Sequence, residues 1–587
     1  MLLRWIYTQY GQRTRLYYRE RILWSARGGR QGDNLFTDLY CLTLNRAVLS
    51  LKGAPGLLFQ GWYADGALLV VRRDEAVGLL TLLKRRLLEL DQDLGWDKCL
   101  INRELDLTQE TIAALGGQPR VMQNGTDVLK VMGVPVLGSP AAIRLWFEQK
   151  LVKIKELTEK IVELDDVHRG FALLRSTAAY CKVVHFIRSL PLDAFDGIYS
   201  NFLQAFDSLV LDSFCEVAHI GVTERSRQQL VLPIRLGGFG LRRAHRHANA
   251  AFIAGSLNSA PLVTAVLRAN GVLGAEGSWE DPGLDEAIHR FNEADDLDQL
   301  LTRERLNAGT EQAELSLIID ECDHAAYLSQ ASTADRVRMN SLQMPHALDV
   351  LTVRPDPAQS LWLTNSEASA YFGFLLGRGP APGAPCNRCG HVLDPEGTHA
   401  STCSKGRWRK KRHDDACAVV AEFSRLGDFS VTEDRPVAYV AGDSNPKRPD
   451  LAVLAFGPSG RSNAFDLAVT SPQQSKTRDR AAAEKGYAAK VKERQKHRKY
   501  DELCVSRGFG FTPLAAETYG GWGAEAVAAF KIIITKVADE IQHRTRGAVA
   551  RRFYGKLAVS LARNTAWALL ESRPARPDPP LIDARDH

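Results

Sequence analysis

The chain has 587 residues, 45% of them hydrophobic and 25% charged, with ten tryptophans. That length exceeds a single domain, and that composition excludes a disordered, collagenous or fibrous protein. The formal charge of +6 is unevenly spread: the stretch from Cys386 to Thr512 carries 23 Lys/Arg against 16 Asp/Glu and so holds +7 by itself. A basic stretch of this kind points to a phosphate-bearing partner, with a solvated Lys/Arg-rich helix as the plainer reading.

The first residues lack the continuous apolar core of a signal peptide, and there is no run of 18 uncharged apolar residues, so neither secretion nor a membrane partner is expected. From Met1 to Ser139 short apolar runs alternate with helical patterns. Gly61–Val71 reads as strand, turn and strand, and Ala76–Leu94 as an amphipathic helix. Residues 141–378 read as almost wholly helical, with apolar residues at 3–4 spacing in Leu145–Leu164, Phe171–Leu190 and Phe202–Val217 and breaks near Gly237-Gly238 and Pro282-Gly283. Gly377–Pro385 is too rich in Pro and Gly for helix or strand and reads as a linker. Beyond it come a helix over Ala416–Leu426, short strands at Phe429–Val431, Leu451–Phe456 and Asn463–Val469, a basic helix over Ala481–Tyr500, a helix over Arg552–Leu570 and a Pro-rich tail expected to be disordered.

Cys41, Cys99, Cys181, Cys215, Cys322, Cys417 and Cys504 are scattered singly and read as reduced structural thiols. The other three cluster as Cys386-x2-Cys389-x9-His399-x3-Cys403, two close pairs that can close around one tetrahedral zinc ion. Four protein ligands leave no open position, so the site is expected to be structural. Next to it Lys405, Arg407, Arg409, Lys410, Lys411 and Arg412 surround Trp408, which suits phosphate contacts plus a stacking ring, or a nuclear localisation signal. Further on, Asp450 in Arg448-Pro449-Asp450 and Asp466 in Asp466-Leu467-Ala468-Val469-Thr470 each sit at a strand edge. Two carboxylates so placed can share Mg²⁺ and neutralise charge developing on a phosphodiester. Lys496 and Lys499 lie three apart on the basic helix, hence on one face, with Tyr500 following. The plain alternative is two surface carboxylates and a solvated helix.

A third set opens the chain: Gln31-Gly32-Asp33, then Tyr63-Ala64-Asp65-Gly66, then Lys98 after Gly95-Trp96-Asp97, then Met132-Gly133. In order and spacing this set resembles the palm motifs of a non-LTR (LINE-type) retrotransposon reverse transcriptase. Leu232–Leu241 is similar to a segment that follows the thumb in these elements. The cysteine cluster and the Pro-Asp, Asp and Lys-Tyr series resemble the CCHC zinc knuckle and the restriction-like, PD-(D/E)XK endonuclease of the site-specific subclass. The resemblance implies that Gln31, Gly32 and Asp33 help form a nucleotide and template pocket, that Lys98 lies near the leaving pyrophosphate and that Met132-Gly133 grips a primer. It implies metal binding by Asp450 and Asp466, with Lys496 or Lys499 supplying the lysine that the family usually carries where Ala468 stands here. Glu433 and Glu517 receive no role.

Asp65 is the single Asp of a hairpin that carries two in the family, and no upstream metal-binding motif precedes Gln31, so the polymerase is expected to be an inactive remnant that starts inside a palm. The resulting expectation is a multidomain α+β chain: a partial right-hand reverse transcriptase palm (1–139), an all-α thumb and linker (140–377), a knuckle with its basic run (378–412), an α/β restriction-endonuclease-like domain (413–573) and a tail (574–587). It would nick target DNA with Mg²⁺, hold structural Zn²⁺, bind element RNA and work in the nucleus. The competing expectation is a decayed or domesticated nucleic-acid-binding protein without catalysis.

Overall fold

A computed structural model of the chain describes residues 13–25, 35–102, 107–123, 125–293, 300–433, 448–457, 460–541 and 545–574. The Gln31-Gly32-Asp33 turn and all of the tail past 574 lie outside the described residues. The chain is mixed α+β, 56% helical, with small sheets. Its contacts divide it into two compact units, not five segments: Met1–Glu148 with Gly255–Leu284 and Leu306–Thr310, and Gln149–Ala254 with Asp285–Arg305 and Glu311–His587.

The first unit begins with the antiparallel strands β1 (Thr14–Tyr18) and β2 (Arg21–Ser25). Helix α1 (Phe36–Ser50) leads into the expected hairpin, β3 (Leu57–Tyr63) and β4 (Gly66–Val71), where Tyr63 pairs with Gly66 and leaves Ala64 and Asp65 at the tip. Helix α2 (Ala76–Leu88) presents Leu79, Leu83 and Leu87 at four-residue spacing, and this stripe buries itself against Leu44, Ala47 and Leu51 of α1 and its end. The helix stops short of the expected Leu94 because the backbone turns at Asp91, with φ 55°, and Asp93 folds back to pair with Lys84. Strand β5 (Leu100–Ile101), helix α3 (Gln109–Leu115) and strand β6 (Arg120–Val121) follow, then the hairpin of β7 (Val128–Val131) and β8 (Val134–Gly138), turned by Met132 and Gly133.

Helix α4 (Pro140–Val162) opens the helical stretch, followed by α5 (Val167–Leu173), α6 (Val184–Ser189), α7 (Ile198–Ala218), α8 (Glu224–Val231), α9 (Ala244–Ala269), α10 (Leu284–Glu293), α11 (Gln312–Ser329), α12 (Thr333–Leu342) and α13 (Asn365–Leu375). The helix expected over Phe171–Leu190 is interrupted, because α5 runs into a π turn over Leu174–Ala178 and Ala179, at φ −88° and ψ −143°, leaves the helical path. In the second unit Phe171, Phe214, Phe239 and Phe372 meet edge-on with ring centroids 5.3–5.8 Å apart. Phe239 reaches this cluster through Gly238, whose Cβ, were there one, would stand 2.0 Å from the Leu232 carbonyl oxygen. Among the described residues α9 is long and apolar enough, by length and composition, to cross a membrane, and 39% of that stretch is buried. Its Asn, Ser and Thr residues are what kept it from reading as a span in the sequence.

Gly377–Pro385 is not a free tether. It packs inside the second unit, where a Cβ on Gly379 would meet the Gly397 backbone nitrogen at 2.5 Å and Pro385 bridges to Val392. Beyond it lie α14 (Thr398–Thr402), α15 (Trp408–Leu426), β9 (Val431–Glu433), β10 (Leu451–Phe456), β11 (Arg461–Thr470), α16 (Arg478–Ala483), α17 (Tyr487–Ser506), β12 (Gly510–Glu517), α18 (Ala524–Glu540) and α19 (Arg546–Ser572). The four strands form one sheet in the order β12-β11-β10-β9, with β11 and β12 parallel and the other pairs antiparallel. The basic helix expected over Ala481–Tyr500 is two helices, because the backbone turns extended at Glu484, with φ −126° and ψ 119°, and Gly486 at φ 69° then starts α17 in a new direction.

Strand alternation explains the layering. Leu451 and Val453, Phe465 and Leu467, and Leu514 and Ala516 put one face of the sheet into a core with Val420 and Phe423 of α15, Phe530 and Ile533 of α18 and Phe553 and Leu557 of α19. Residues of the opposite parity in β11 and β12 face α17. Phe530 is fully buried and touches Trp522 and Phe553, each 5.0 Å away between centroids. Phe530→Ala is expected to destabilise the second unit by about 3–5 kcal/mol, read as a lower denaturant midpoint of its transition.

Candidate functional site

The knuckle is built by turns. The Gly390 amide donates to the Cys386 carbonyl at 2.7 Å, closing the loop that carries Cys386 and Cys389. The carboxylate of Asp394 caps α14, accepting from the amides of Thr398 (2.7 Å) and His399 (2.6 Å), which fixes the backbone that carries His399. The ligand atoms of Cys386, Cys389, His399 and Cys403 thereby lie within 4.8 Å of one another, with Cys389 Sγ 3.1 Å from His399 Nε2. This group can hold a metal ion, and its three sulfurs and one imidazole nitrogen suit a tetrahedral soft-to-borderline ion. Burial opposes ionisation of Cys386, but hydrogen bonds from the Arg388 and Cys389 amides outweigh it and bring the thiol below its ordinary range. Arg388 fastens the loop to α14 by donating to the Ala400 carbonyl (2.6 Å) and to α19 by donating to the Ala568 carbonyl (2.8 Å).

The basic run does not form one surface. Helix α15 starts at Trp408, so Trp408 and Arg412, four residues apart, share its inward face. Trp408 stacks on Trp567 with centroids 5.4 Å apart and planes at 12°, and is 8% exposed. Arg412 is buried against α19 and donates to the Ser401 carbonyl (3.3 Å) and Thr565 Oγ1 (3.1 Å). Burial pulls it down to about 10. These two residues, expected to contact nucleic acid, are internal supports. Arg407, Arg409, Lys410 and Lys411 remain exposed, with Lys411 paired to Asp415 at 2.9 Å.

The two expected carboxylates come together across the sheet. Leu451 pairs with Phe465, so Asp450, directly before β10, and Asp466, in the middle of β11, are the next opposed pair of that antiparallel register. Asp466 is 3% exposed and pairs with Lys496, which reaches it from α17. Asp450 accepts from the Leu467 amide at 2.7 Å and from His413 Nε2 at 3.0 Å. Two carboxylates opposed in this register are oxygen donors of the kind a hard divalent cation takes. Lys499 instead donates to the Tyr500 hydroxyl at 2.8 Å and lies over its ring, and the same hydroxyl donates to the Arg448 carbonyl at 3.1 Å. Burial, then the neighbouring Asp466 charge, pushes the Tyr500 phenol well up. Lys496 is thus the lysine at the carboxylate, and Lys499 holds the tyrosine beside it.

Ala468 is buried in β11, and no cation replaces the missing lysine on that strand. Glu433 pairs with Arg425, and Glu517 is buried at the far end of β12, where it accepts from the Ala489 amide and anchors the start of α17. In the first unit Asp65 is exposed at its hairpin tip and Lys98 is exposed in the turn after Gly95.

Two residues at the site carried no sequence signal strong enough to single them out. Lys492 lies one turn before Lys496; burial, then Lys496 and Arg409, pulls its ammonium down while Asp466 opposes them. His413 approaches Asp450 from α15, and its hydrogen bonds to Asp450, then to Cys417, raise it to about 11. The His413-x3-Cys417 spacing, one helical turn, was the available signal.

No protein-family model matches the chain, and no curated protein matches it. Arg412→Ala is expected to lower stability by roughly 1.5–3 kcal/mol, as the loss of buried charge-assisted hydrogen bonds, whereas Arg409→Ala, on the exposed side of the same helix, should stay within about 0.5 kcal/mol. Thermal unfolding of the two variants side by side checks this difference.

Proposed function

We propose that the second unit is a metal-dependent DNA-nicking endonuclease of the PD-(D/E)XK kind, joined to a reverse transcriptase remnant, in a protein derived from a non-LTR retrotransposon. The observation that carries the reading is the opposition of Asp450 and Asp466 across β10 and β11 with Lys496 seated on Asp466 from the neighbouring helix. A strand-borne carboxylate pair plus a lysine is the donor set that phosphodiester cleavage needs.

Asp450 and Asp466 would hold a divalent cation, magnesium by their hard oxygen donors, which would supply Lewis-acid polarisation of the phosphodiester. The protein's own groups do the rest. The Leu467 amide fixes the Asp450 carboxylate, and the sheet fixes Asp466, so neither must reorganise when substrate arrives. Lys496 offers its ammonium where negative charge grows on the phosphorus oxygens, and Lys499, through Tyr500, holds that end of α17 to the loop before Asp450. Arg409 and Lys492 extend the cationic face, giving salt-dependent contacts to the DNA backbone, and Cys386, Cys389, His399 and Cys403 would hold a zinc ion that fixes the loop before α15. The first unit, with one Asp in its hairpin, is read as a palm remnant without polymerase activity. Target DNA and element RNA are the partners, and the nucleus the place of action.

Supercoiled plasmid with Mg²⁺ should be nicked by the full-length protein, and Asp450→Asn, Asp466→Asn or Lys496→Met should each slow nicking by roughly a hundredfold or more. Nicking that survives both Asp changes would remove the site assignment, and a protein that binds DNA but nicks under no divalent ion would be the non-catalytic binder. Two further measurements bear on the supporting roles. Removing Arg409 and Lys492 together should reduce the slope of log affinity against log salt by about 2. Cys403→Ser should lower bound zinc by one ion per chain.

A further inference from the structure

Asp450 faces a second set of donors that the nuclease reading does not use. His413 Nε2 lies 3.0 Å from Asp450 Oδ2 and 4.0 Å from Cys417 Sγ, and donor atoms of all three residues lie within 4.8 Å of one another. His413 and Cys417 are one turn apart on α15, so a rigid helix sets both on the same side. The other ring nitrogen, Nδ1, lies 3.0 Å from the Asp414 carboxylate. That is the outer-sphere arrangement that orients a metal-ligating imidazole and raises its donor strength. Asp450 is likewise held by the Leu467 amide at 2.7 Å. The group is reachable: His413 and Asp450 side chains are 30% and 24% exposed, while Cys417 forms the buried floor.

We infer that His413 Nε2, Cys417 Sγ and Asp450 form a second metal site, separate from the knuckle, for a borderline divalent transition ion of the zinc and cobalt class. One nitrogen, one sulfur and one carboxylate oxygen select such an ion over magnesium, which favours oxygen ligands and water. Three protein ligands also leave a coordination position free, unlike the four of the knuckle. The inference rests on the nuclease reading only in sharing Asp450 with it: a transition ion bound here withdraws Asp450 from the magnesium pair and so sets how much of the protein is competent to nick.

The test uses metal binding, not cleavage. Co²⁺ is titrated into the full-length protein with its knuckle already zinc-loaded, and the visible bands and the near-ultraviolet thiolate-to-cobalt band are followed. One saturable cobalt per chain is expected, displaced by Zn²⁺ but not by a large excess of Mg²⁺. Cys417→Ser should lose the thiolate band, and His413→Ala the saturable binding, while each keeps its knuckle zinc and its circular dichroism, which shows that the fold survives. Absence of a saturable cobalt beyond the knuckle, or cobalt spectra unchanged in both variants, would overturn the inference. Failure of the nuclease reading would show separately, as a protein that binds cobalt in this way and nicks no DNA with Mg²⁺.

Discussion

The second unit turns on a carboxylate that has no business in a sheet interior unless a cation meets it. Asp466 sits in the middle of β11, almost without solvent, among neighbours that are mostly alanine, phenylalanine and leucine. An isolated ionised carboxylate there would cost several kcal/mol or more. Lys496 provides the compensation, and it can do so only if α17 docks across β11 and β12. The features that look decorative follow from this need. Small residues, Ala464 and Ala468 on the strand and Ala488 and Ala489 on the helix, are buried along these elements. Glu484 turns extended to end the preceding helix, and Gly486 lets α17 begin where Glu517 accepts from the Ala489 amide. Tyr500 and Lys499 tie its later turn to the loop that carries Asp450.

The same unit couples the knuckle to this site through helix α15. Its first turn is clamped by the Trp408–Trp567 stack and by Arg412, and the loop before it by Arg388, all against α19. Directly after Arg412 comes His413, which reaches Asp450. The knuckle and Asp450 are thus joined through one continuous helix, α15. The basic character of the stretch from Cys386 to Thr512 is thus divided: Arg388 and Arg412 are structural posts, Lys496 meets Asp466, and Arg425 and Lys490 pair with neighbouring glutamates.

Period and spacing made much of this legible in the sequence. The β3–β4 hairpin, strands β10 and β11, the cysteine cluster and the pairing of Asp450 with Asp466 were readable, because alternation and ligand spacing are local signals. What escaped was set by tertiary context. Trp408 and Arg412 looked like surface because composition does not say where a helix starts; once α15 begins at Trp408, the 3.6-residue period turns both inward. Gly377–Pro385 looked like a tether because Pro and Gly also serve tight packing, as Gly379 does against Gly397. Which of Lys496 and Lys499 meets Asp466 was undecidable from a shared helix face, and His413 was invisible as a site residue because its partner lies 37 positions away.

The central claim is that Asp450 and Asp466 are jointly the ligands of a divalent cation beside Lys496. Anomalous diffraction from crystals of the protein soaked in Mn²⁺, used as a magnesium surrogate, tests it most directly. The account predicts a peak bonded to both carboxylates, with Lys496 displaced from direct contact with Asp466, and its loss in Asp466→Asn. Manganese bound elsewhere in the second unit, with Asp466 and Lys496 still paired, would contradict it.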